Sequence, residues 1–509
     1  MKRQLLFCLP LLLGSSLLAD IVPETAAAYI DTALEREYAA AQTPRGMRPL
    51  PVNLPPEADD ATFLRRACID LAGRLPRPEE VKIFLTSASP IKRAVLTDAL
   101  VKEPAAAETR FRMLAETFRV KDDEAVIAWL RQAALDDRPY NQIITYMVGE
   151  GHMSRRDEGN AYRTAVETAF AVVGEDMHCS QCHDNAYNDH VQMEAYQFAA
   201  CFTANDEGDN IRLPSNYWYR DGKPGERVKP KLLRLSREIP PPVKSGKDQR
   251  MLVAQWLTKE SSRRSVFVEA LRVWSSLFGM PGQNVNHTIG GSDPAPSWEE
   301  VHENSDIPVT FRKCYGAQHP NRITWIGLEP SSLKAQNVEV ALAEVFRNCG
   351  YRIGVFQRIL ARTRAYGRMG VDAHRSGYMV PAPHIRRLPA EVIWDALSAE
   401  KSAQLPQVPP LEHPLRMLGR GTREWSDESI TPISHALARF MMNSADVELA
   451  AAPGPADRST EDLFLSILGR QPNGLEKAIA QQHRNEAPLT ADSDIAWALL
   501  NTTEFMLDR

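Results

Sequence analysis

The chain has 509 residues, 43% of them hydrophobic, and a formal net charge of −5. That is enough apolar material for two or three packed domains, and a near-neutral balance without a basic stripe argues against a nucleic-acid partner. Seven Cys in this length are too few for a scaffold stapled by disulfides.

The chain starts MKRQLLFCLPLLLGSSLLAD. Lys2 and Arg3 precede an apolar run from Leu5 to Leu13, and small residues lead to Ala19. This layout predicts a signal peptide over residues 1–19, cleaved after Ala19. The run is short for a spanning helix of about 20 residues, and Glu167 interrupts the nearest later approach, AVETAFAVVG. The expected product is an exported chain, periplasmic or at the cell surface, soluble after cleavage and without a transmembrane span.

The expected fold is mainly α: a multi-helix protein of two domains with a small β-hairpin insertion between them. Residues 20–58 hold a helix over Pro23 to Gln42 and a Pro-rich linker. Residues 59–203 form the first helical domain. It starts with ATFLRRACIDLAGRL, for which Asp59 or Asp60 is the candidate N-cap. RPEEVKIFL, IKRAVLTDALVKE, DEAVIAWLRQAAL, DRPYNQIITYMVGEG, NAYRTAVETAFAVVGEDM and MEAYQFAACF continue the array at helical period. Residues 204–248 lose that period, and NYWYRDGKPGERVKPKLLRL alternates around Asp221-Gly222, which signals a hairpin. Residues 249–509 form the second helical domain. A polar loop runs from Pro281 to about Pro308, and amphipathic segments extend from SSLKAQNVEVALAEVFRNCG to DSDIAWALLNTTEFML.

One pattern occurs twice. LAGRLPRPEE, from Leu71, and ILGRQPNGLE, from Ile467, share G-R-x-P-x-x-x-E. Gly73 and Gly469 suit a left-handed helix C-cap, the prolines end one helix and prepare the next, and Glu80 and Glu476 fall in the first turn of that next helix. Arg74 and Arg470 are placed to pair with carboxylates across each corner.

The chemistry concentrates in MHCSQCHDNAYNDH, Met177 to His190. Cys179-Ser180-Gln181-Cys182-His183 is C-x-x-C-H: two thiols spaced for the two vinyl groups of a porphyrin, and an imidazole directly after the second thiol for the iron. With 7 Cys and 12 His in the chain, chance supplies only about 0.002 copies of such a pattern. The leading expectation is one covalent haem c on Cys179 and Cys182 with His183 as proximal metal ligand, passing electrons to a redox partner protein. Zinc held by Cys179, Cys182, His183 and either His178 or His190 is one alternative. A haem-free exported scaffold or carbohydrate-associated protein with a structural Cys179–Cys182 disulfide is another. Met147, His152, Met153 and His319 are the remote candidates for a sixth iron ligand. Cys68 and Cys201 read as core residues, and Cys314 and Cys349 as a candidate pair. NVNHTIGGSDP and the segment with His374 and His384 have the composition of binding loops, and equally of ordinary solvated ones.

These motifs in order resemble exported planctomycete-type proteins built from two paired domains of unknown function, often fused to a planctomycete-type cytochrome c domain. FLRRACIDLAGRLPRPEEVKIFL, PYNQIITYMVGEG and CSQCHDNAYNDHVQMEAYQFAACF carry the likeness in the first half. LVAQWLTKESSRRSVFVEALRVWSSLFGM, GYRIGVFQRILARTRAYGR, RRLPAEVIWDAL, LFLSILGRQPNGLE and DIAWALLNTTEFML carry it in the second. The family commonly reads C-H-D-H-P-F and then Trp. Here Asn185, Ala186 and His190 stand at the second His, the Pro and the Trp, and Leu271 stands before Arg272 where Asn is typical. The resemblance implies an exported, largely helical protein with a cytochrome-like motif, and no settled reaction.

Overall fold

The computed structural model describes residues 22–42, 53–153, 160–175, 177–184, 191–203, 211–233, 240–243, 249–259, 264–279, 338–372, 381–421, 435–452 and 458–508. The expected signal peptide, the 281–308 loop, Asn185 to His190, Cys314, His319 and His374 lie outside them. The described chain is mainly helical, with one two-stranded sheet.

The first part runs through α1 (Pro23–Gln42), α2 (Asp60–Ala72), α3 (Pro78–Thr86), α4 (Lys92–Leu100), α5 (Pro104–Thr117) and α6 (Glu124–Leu135). Of the two N-cap candidates for α2 it is Asp59 that caps, accepting from the Thr62 N–H at 2.7 Å. Helix α5, which the sequence patterns did not single out, has Pro104 in its first turn and buries Phe111 and Leu114. Then come α7 (Tyr140–Ile144), widening into a π-helical turn over Thr145–Gly149, α8 (Ala161–Thr168), widening likewise over Ala169–Val173, and α9 (Gln192–Ala199).

The expected hairpin narrows to a single antiparallel bridge, Arg212 with Arg227. Backbone bonds from Leu213 N to Glu226 O (2.9 Å) and from Val228 N to Ile211 O (2.9 Å) flank it. The alternating stretch Asn216 to Arg220 is not a strand but lies in the loop above this bridge. Pro214, Pro224 and Pro230 lack the N–H groups a longer ladder needs.

The second part contains α10 (Arg250–Leu257), α11 (Arg264–Phe278), α12 (Val338–Asn348), α13 (Ile353–Leu360), α14 (Ala390–Leu397), α15 (Pro414–Met417), α16 (His435–Asn443), α17 (Ala445–Ala451), α18 (Thr460–Ile467), α19 (Gly474–Glu486), α20 (Ala491–Leu500) and α21 (Thr503–Met506). β1 (Arg386–Arg387) and β2 (Leu507–Asp508) pair antiparallel. Helix α13 stops at Leu360, short of the period that suggested it: the buried Asp31 carboxylate accepts the Arg364 and Ala365 N–H groups at 2.7 and 3.0 Å and bends the chain there.

Two large cores result. The first gathers Ile30 of α1, Phe63 of α2, Phe111 of α5, Val172 after α8 and Phe198 of α9 together with Trp274, Phe346 and Phe356 of α11, α12 and α13. Residues on both sides of the expected 204–248 connector therefore share one core. The second gathers Trp394, Leu415, Phe440, Leu463, Leu499 and Phe505. Between them, the Asp70 carboxylate at 7% exposure accepts from the Tyr366 hydroxyl (2.8 Å) and from Arg386, which also reaches Asp508 at 3.2 Å. This network ties α2 to both strands of the small sheet. No helix among the described residues is long and apolar enough to cross a membrane.

Candidate functional site

The Cys-x-x-Cys-His turn is held from behind. The π-helical turn after α8 ends at Gly174, whose φ of +66° is left-handed and suits glycine. Arg264 of α11 then clamps the exit: its Nε donates to Val173 O at 3.0 Å and its Nη2 pairs with buried Glu175 at 2.6 Å. Met177, wholly buried, anchors the next step, and its carbonyl accepts from the Tyr162 hydroxyl at 3.3 Å. The chain then winds into a 3-10 turn over His178–Gln181. The Gln181 carbonyl accepts from Gln192 Nε2 (2.8 Å) and from the Tyr196 hydroxyl (3.1 Å), so α9 fixes the turn from one side.

On this mount the motif faces outward. Cys179 is half-buried, and Cys182 and His183 are exposed. Tyr162 and Tyr196 lie near the thiols. Burial chiefly, then the neighbouring ring and both sulfurs, raises the Tyr162 hydroxyl above its ordinary value. Tyr196 is raised by burial and then by Cys182. The Cys182 thiol is free, so no link to Cys179 closes the motif in this structure.

The His183 ring shows which nitrogen is available. Its Nδ1 lies 2.6 Å from the Asp184 carbonyl oxygen. A carbonyl only accepts, so Nδ1 carries the proton, and the Nε2 lone pair remains for a metal. Metal-bound histidines are oriented in this same way, by a hydrogen bond from the other ring nitrogen. Asp184 is itself held: its N–H donates to the Tyr219 hydroxyl at 2.8 Å, and its Oδ1 accepts from the Gln192 N–H at 2.8 Å.

Two wholly buried side chains of this neighbourhood, Ser180 and Gln192, have an oxygen each without a hydrogen-bond partner. Such orphans are uncommon and call for water or a ligand. The outward thiols and the His183 ring are the groups that would hold a covalently tethered porphyrin.

Beside the motif, His178 Nε2 lies 3.4 Å from the Glu167 carboxylate, which is buried and also pairs with Arg119 at 2.5 Å. The Phe170 ring meets His178 edge-on at 5.7 Å. Pairing to a shared carboxylate turns His178 toward α8. Among the described residues no three His, Cys, Asp or Glu side chains converge as a metal site, and His190, which the zinc alternative also invoked, lies outside them.

Of the remote candidates for a sixth ligand, the three within the described residues are engaged in other contacts, and His319 lies outside them. Met147 and Met153 are each 1% exposed in the first core, and Met153 Sδ accepts from the Thr168 hydroxyl at 3.6 Å. The His152 ring stacks on Tyr146 at 3.9 Å, and Tyr146 stacks on Trp129 at 3.7 Å. Cys68 and Cys201 are buried as expected, and Cys349 is a free buried thiol. His384 is buried and not solvated, and burial first, and then the Arg386 charge, lowers its pKa to about 4.

Sequence reasoning missed the part Tyr219, Tyr162, Tyr196 and Gln192 play. The only signal was the aromatic run Tyr217-Trp218-Tyr219, whose closeness to Asp184 across 35 positions no local pattern reveals.

No curated protein and no solved structure matches the chain. Residues 45–173, roughly a quarter of the chain and ending just before the Cys-x-x-Cys-His turn, match the model of the PSCyt2 family, described as a protein of unknown function (DUF1549).

Proposed function

We propose that this chain is an exported carrier of one c-type haem, held by Cys179 and Cys182 and ligated by His183, and that it exchanges single electrons with a redox partner. One observation carries the reading: His183, directly after the second thiol, spends Nδ1 on the Asp184 carbonyl and keeps Nε2 for a metal. The exposed Cys182 thiol and half-buried Cys179 are accessible for attachment. Each thiol adds across one vinyl double bond, a C–S bond forming as the S–H hydrogen moves to the neighbouring carbon, so no oxidant is needed. The bound group supplies one-electron redox chemistry. The protein's own residues hold the imidazole in one tautomer, through Asp184, and hold the turn rigid, through Tyr196 and Gln192. The basic-then-apolar N-terminus supports export, and the matched family segment directly upstream accords with the resemblance.

The test is to express the chain with its N-terminus in an exporting host that has haem-maturation machinery. The expected product carries one haem by mass and gives a pyridine haemochrome spectrum of the c type. Cys179→Ala and Cys182→Ala each leave a single thioether, and His183→Ala alters the axial ligation of haem that stays attached. An exported chain of unmodified mass without a Soret band overturns the reading.

A further inference from the structure

Among the described residues Trp218 is the one tryptophan left exposed, at 72%. Tryptophan is on average highly buried, and this ring is not loose. It stacks on Tyr219 with centroids 4.5 Å apart and planes at 29°. Tyr219 meets the buried Tyr217 edge-on at 5.5 Å, and the Tyr217 hydroxyl donates to Asp221 within the same loop. The Tyr219 hydroxyl in turn accepts the N–H of Asp184, the residue directly after His183.

The same aromatic group continues toward the thiols. Tyr196, Leu213, Tyr217 and Val228 form a small separate core, against which Tyr162, Met193 and Tyr219 pack. Tyr162 and Tyr196, 4.9 Å apart, are the two tyrosines whose hydroxyls the cysteines influence. Two ring groups, Tyr162–Tyr196 beside the thiols and Tyr217–Tyr219–Trp218 with its outward-facing indole, thus meet in one small apolar cluster. Cys182 and His183 are exposed, so a planar group tethered there is held at the surface and needs apolar cover from neighbouring side chains rather than from the core.

We infer that the Trp218–Tyr219 pair is a bed for that planar group: Trp218 packs against the tethered porphyrin and shields it from water. This rests on the haem reading above. Flat rings favour offset stacking on aromatic faces, and an indole held by a hydrogen-bonded tyrosine is ordered in advance of binding, which limits the entropy lost on contact. Trp218 is a positioning residue here. It makes no bond to the iron and no covalent link.

The experiment compares the full-length chain made with and without the haem-maturation machinery, by hydroxyl-radical footprinting read by mass spectrometry. Reactivity follows exposed area, so covering a ring that is 72% exposed is expected to slow Trp218 oxidation roughly fivefold. Leu489, 94% exposed and far along the chain, serves as the unchanged control. A second arm uses Trp218→Ala and Trp218→Phe. The alanine variant is expected to keep the haem mass but to show a shifted Soret band and a lower reduction potential, because solvent exposure favours the ferric state. The phenylalanine variant restores both. A haem-loaded chain in which Trp218 oxidises as fast as in the unloaded chain, or a Trp218→Ala protein with native spectrum and potential, overturns the inference and leaves the haem reading standing. A chain that takes up no haem overturns both.

Discussion

Ile69 and Leu465 occupy equivalent positions, four residues before Gly73 and Gly469, and each is buried in the core to which the other's helix mainly belongs. Ile69, on α2, is 2% exposed in the second core, and Leu465, on α18, is 0% exposed in the first. The two repeated corners therefore pack on each other by exchange. Arg65 of α2 donates to the Ile467 and Phe505 carbonyls at 3.1 and 2.8 Å, and Lys82 of α3 pairs with Asp462 of α18 at 3.3 Å. A Cβ at Gly469 would come within 2.9 Å of the Pro76 ring.

Truncating either residue should loosen both cores at once. Ile69→Ala and Leu465→Ala are each expected to cost about 2–5 kcal/mol, the usual range for deleting a buried aliphatic side chain. Urea unfolding followed by tryptophan fluorescence and by circular dichroism checks it. Coincident transitions in both variants are expected, because neither core keeps its packing alone; separated transitions would contradict this.

Within each corner one guanidinium joins two carboxylates. Arg74 holds Glu80 at 2.7 Å and Glu103 at 2.6 Å, and Arg470 holds Glu476 at 2.7 Å and Glu504 at 2.6 Å. Arg74→Ala leaves Glu80 and Glu103 half-buried and facing each other, at an expected cost of about 2 kcal/mol. Arg74→Lys should recover only part of it, since an ammonium lacks the planar fork. Burial alone would raise Glu80, but the Arg74 side chain and the Arg77 N–H bring it below its ordinary value. A carboxylate depressed on folding stabilises above its unfolded pKa and loses that contribution as pH falls through the folded one. The stability difference between native protein and Glu80→Gln should therefore be present at pH 6 and shrink below about pH 4.

Asp70 behaves oppositely. Burial, opposed by Arg386 and reinforced by Asp508, raises its carboxyl well above the ordinary range. A group raised on folding stabilises most below its unfolded pKa, and the contribution is lost as pH rises through the folded value. The native protein should accordingly lose stability relative to Asp70→Asn as pH rises from about 4 toward neutrality. Paired thermal melts across that window measure it, and a pH-independent difference would count against the assignment. The groups facing Asp70 in this balance are Arg386, Asp508, Tyr366 and Arg66.

The thiols should separate by accessibility in the chain made without haem. Burial pushes Cys68, Cys201 and Cys349 up to about 12, whereas Cys182 is exposed. The thiolate is the reactive form, so a disulfide reagent at pH 8 should label Cys182 first and reach the three buried thiols only on unfolding. Peptide mapping identifies the labelled sites. A Cys182 that stays unlabelled until a reductant is added would favour the structural-disulfide alternative.

Much of the helical framework was legible because helix formation reads a local period and local caps. Asp59, Asn160, Ser459 and Asn473 cap as their residue types suggest, and the corner arginines find the carboxylates their spacing offers. Two elements are shorter than their patterns. The hairpin signal at Asp221-Gly222 marked a turn-rich loop closed by one antiparallel bridge rather than by a longer ladder, because prolines on either side withhold donors. Helix α13 ended early on a carboxylate 333 positions away, which no window of sequence contains.

The order of Cys179, Cys182 and His183, and the periodic apolar faces of most helices, are local properties, so residue order alone settles them. Which tyrosines brace the motif, and how the two corners trade Ile69 for Leu465, depend on contacts between segments tens to hundreds of residues apart. Burial, hydrogen-bond geometry and dielectric exist only once those segments have packed, and for that reason the folded chain alone reveals them.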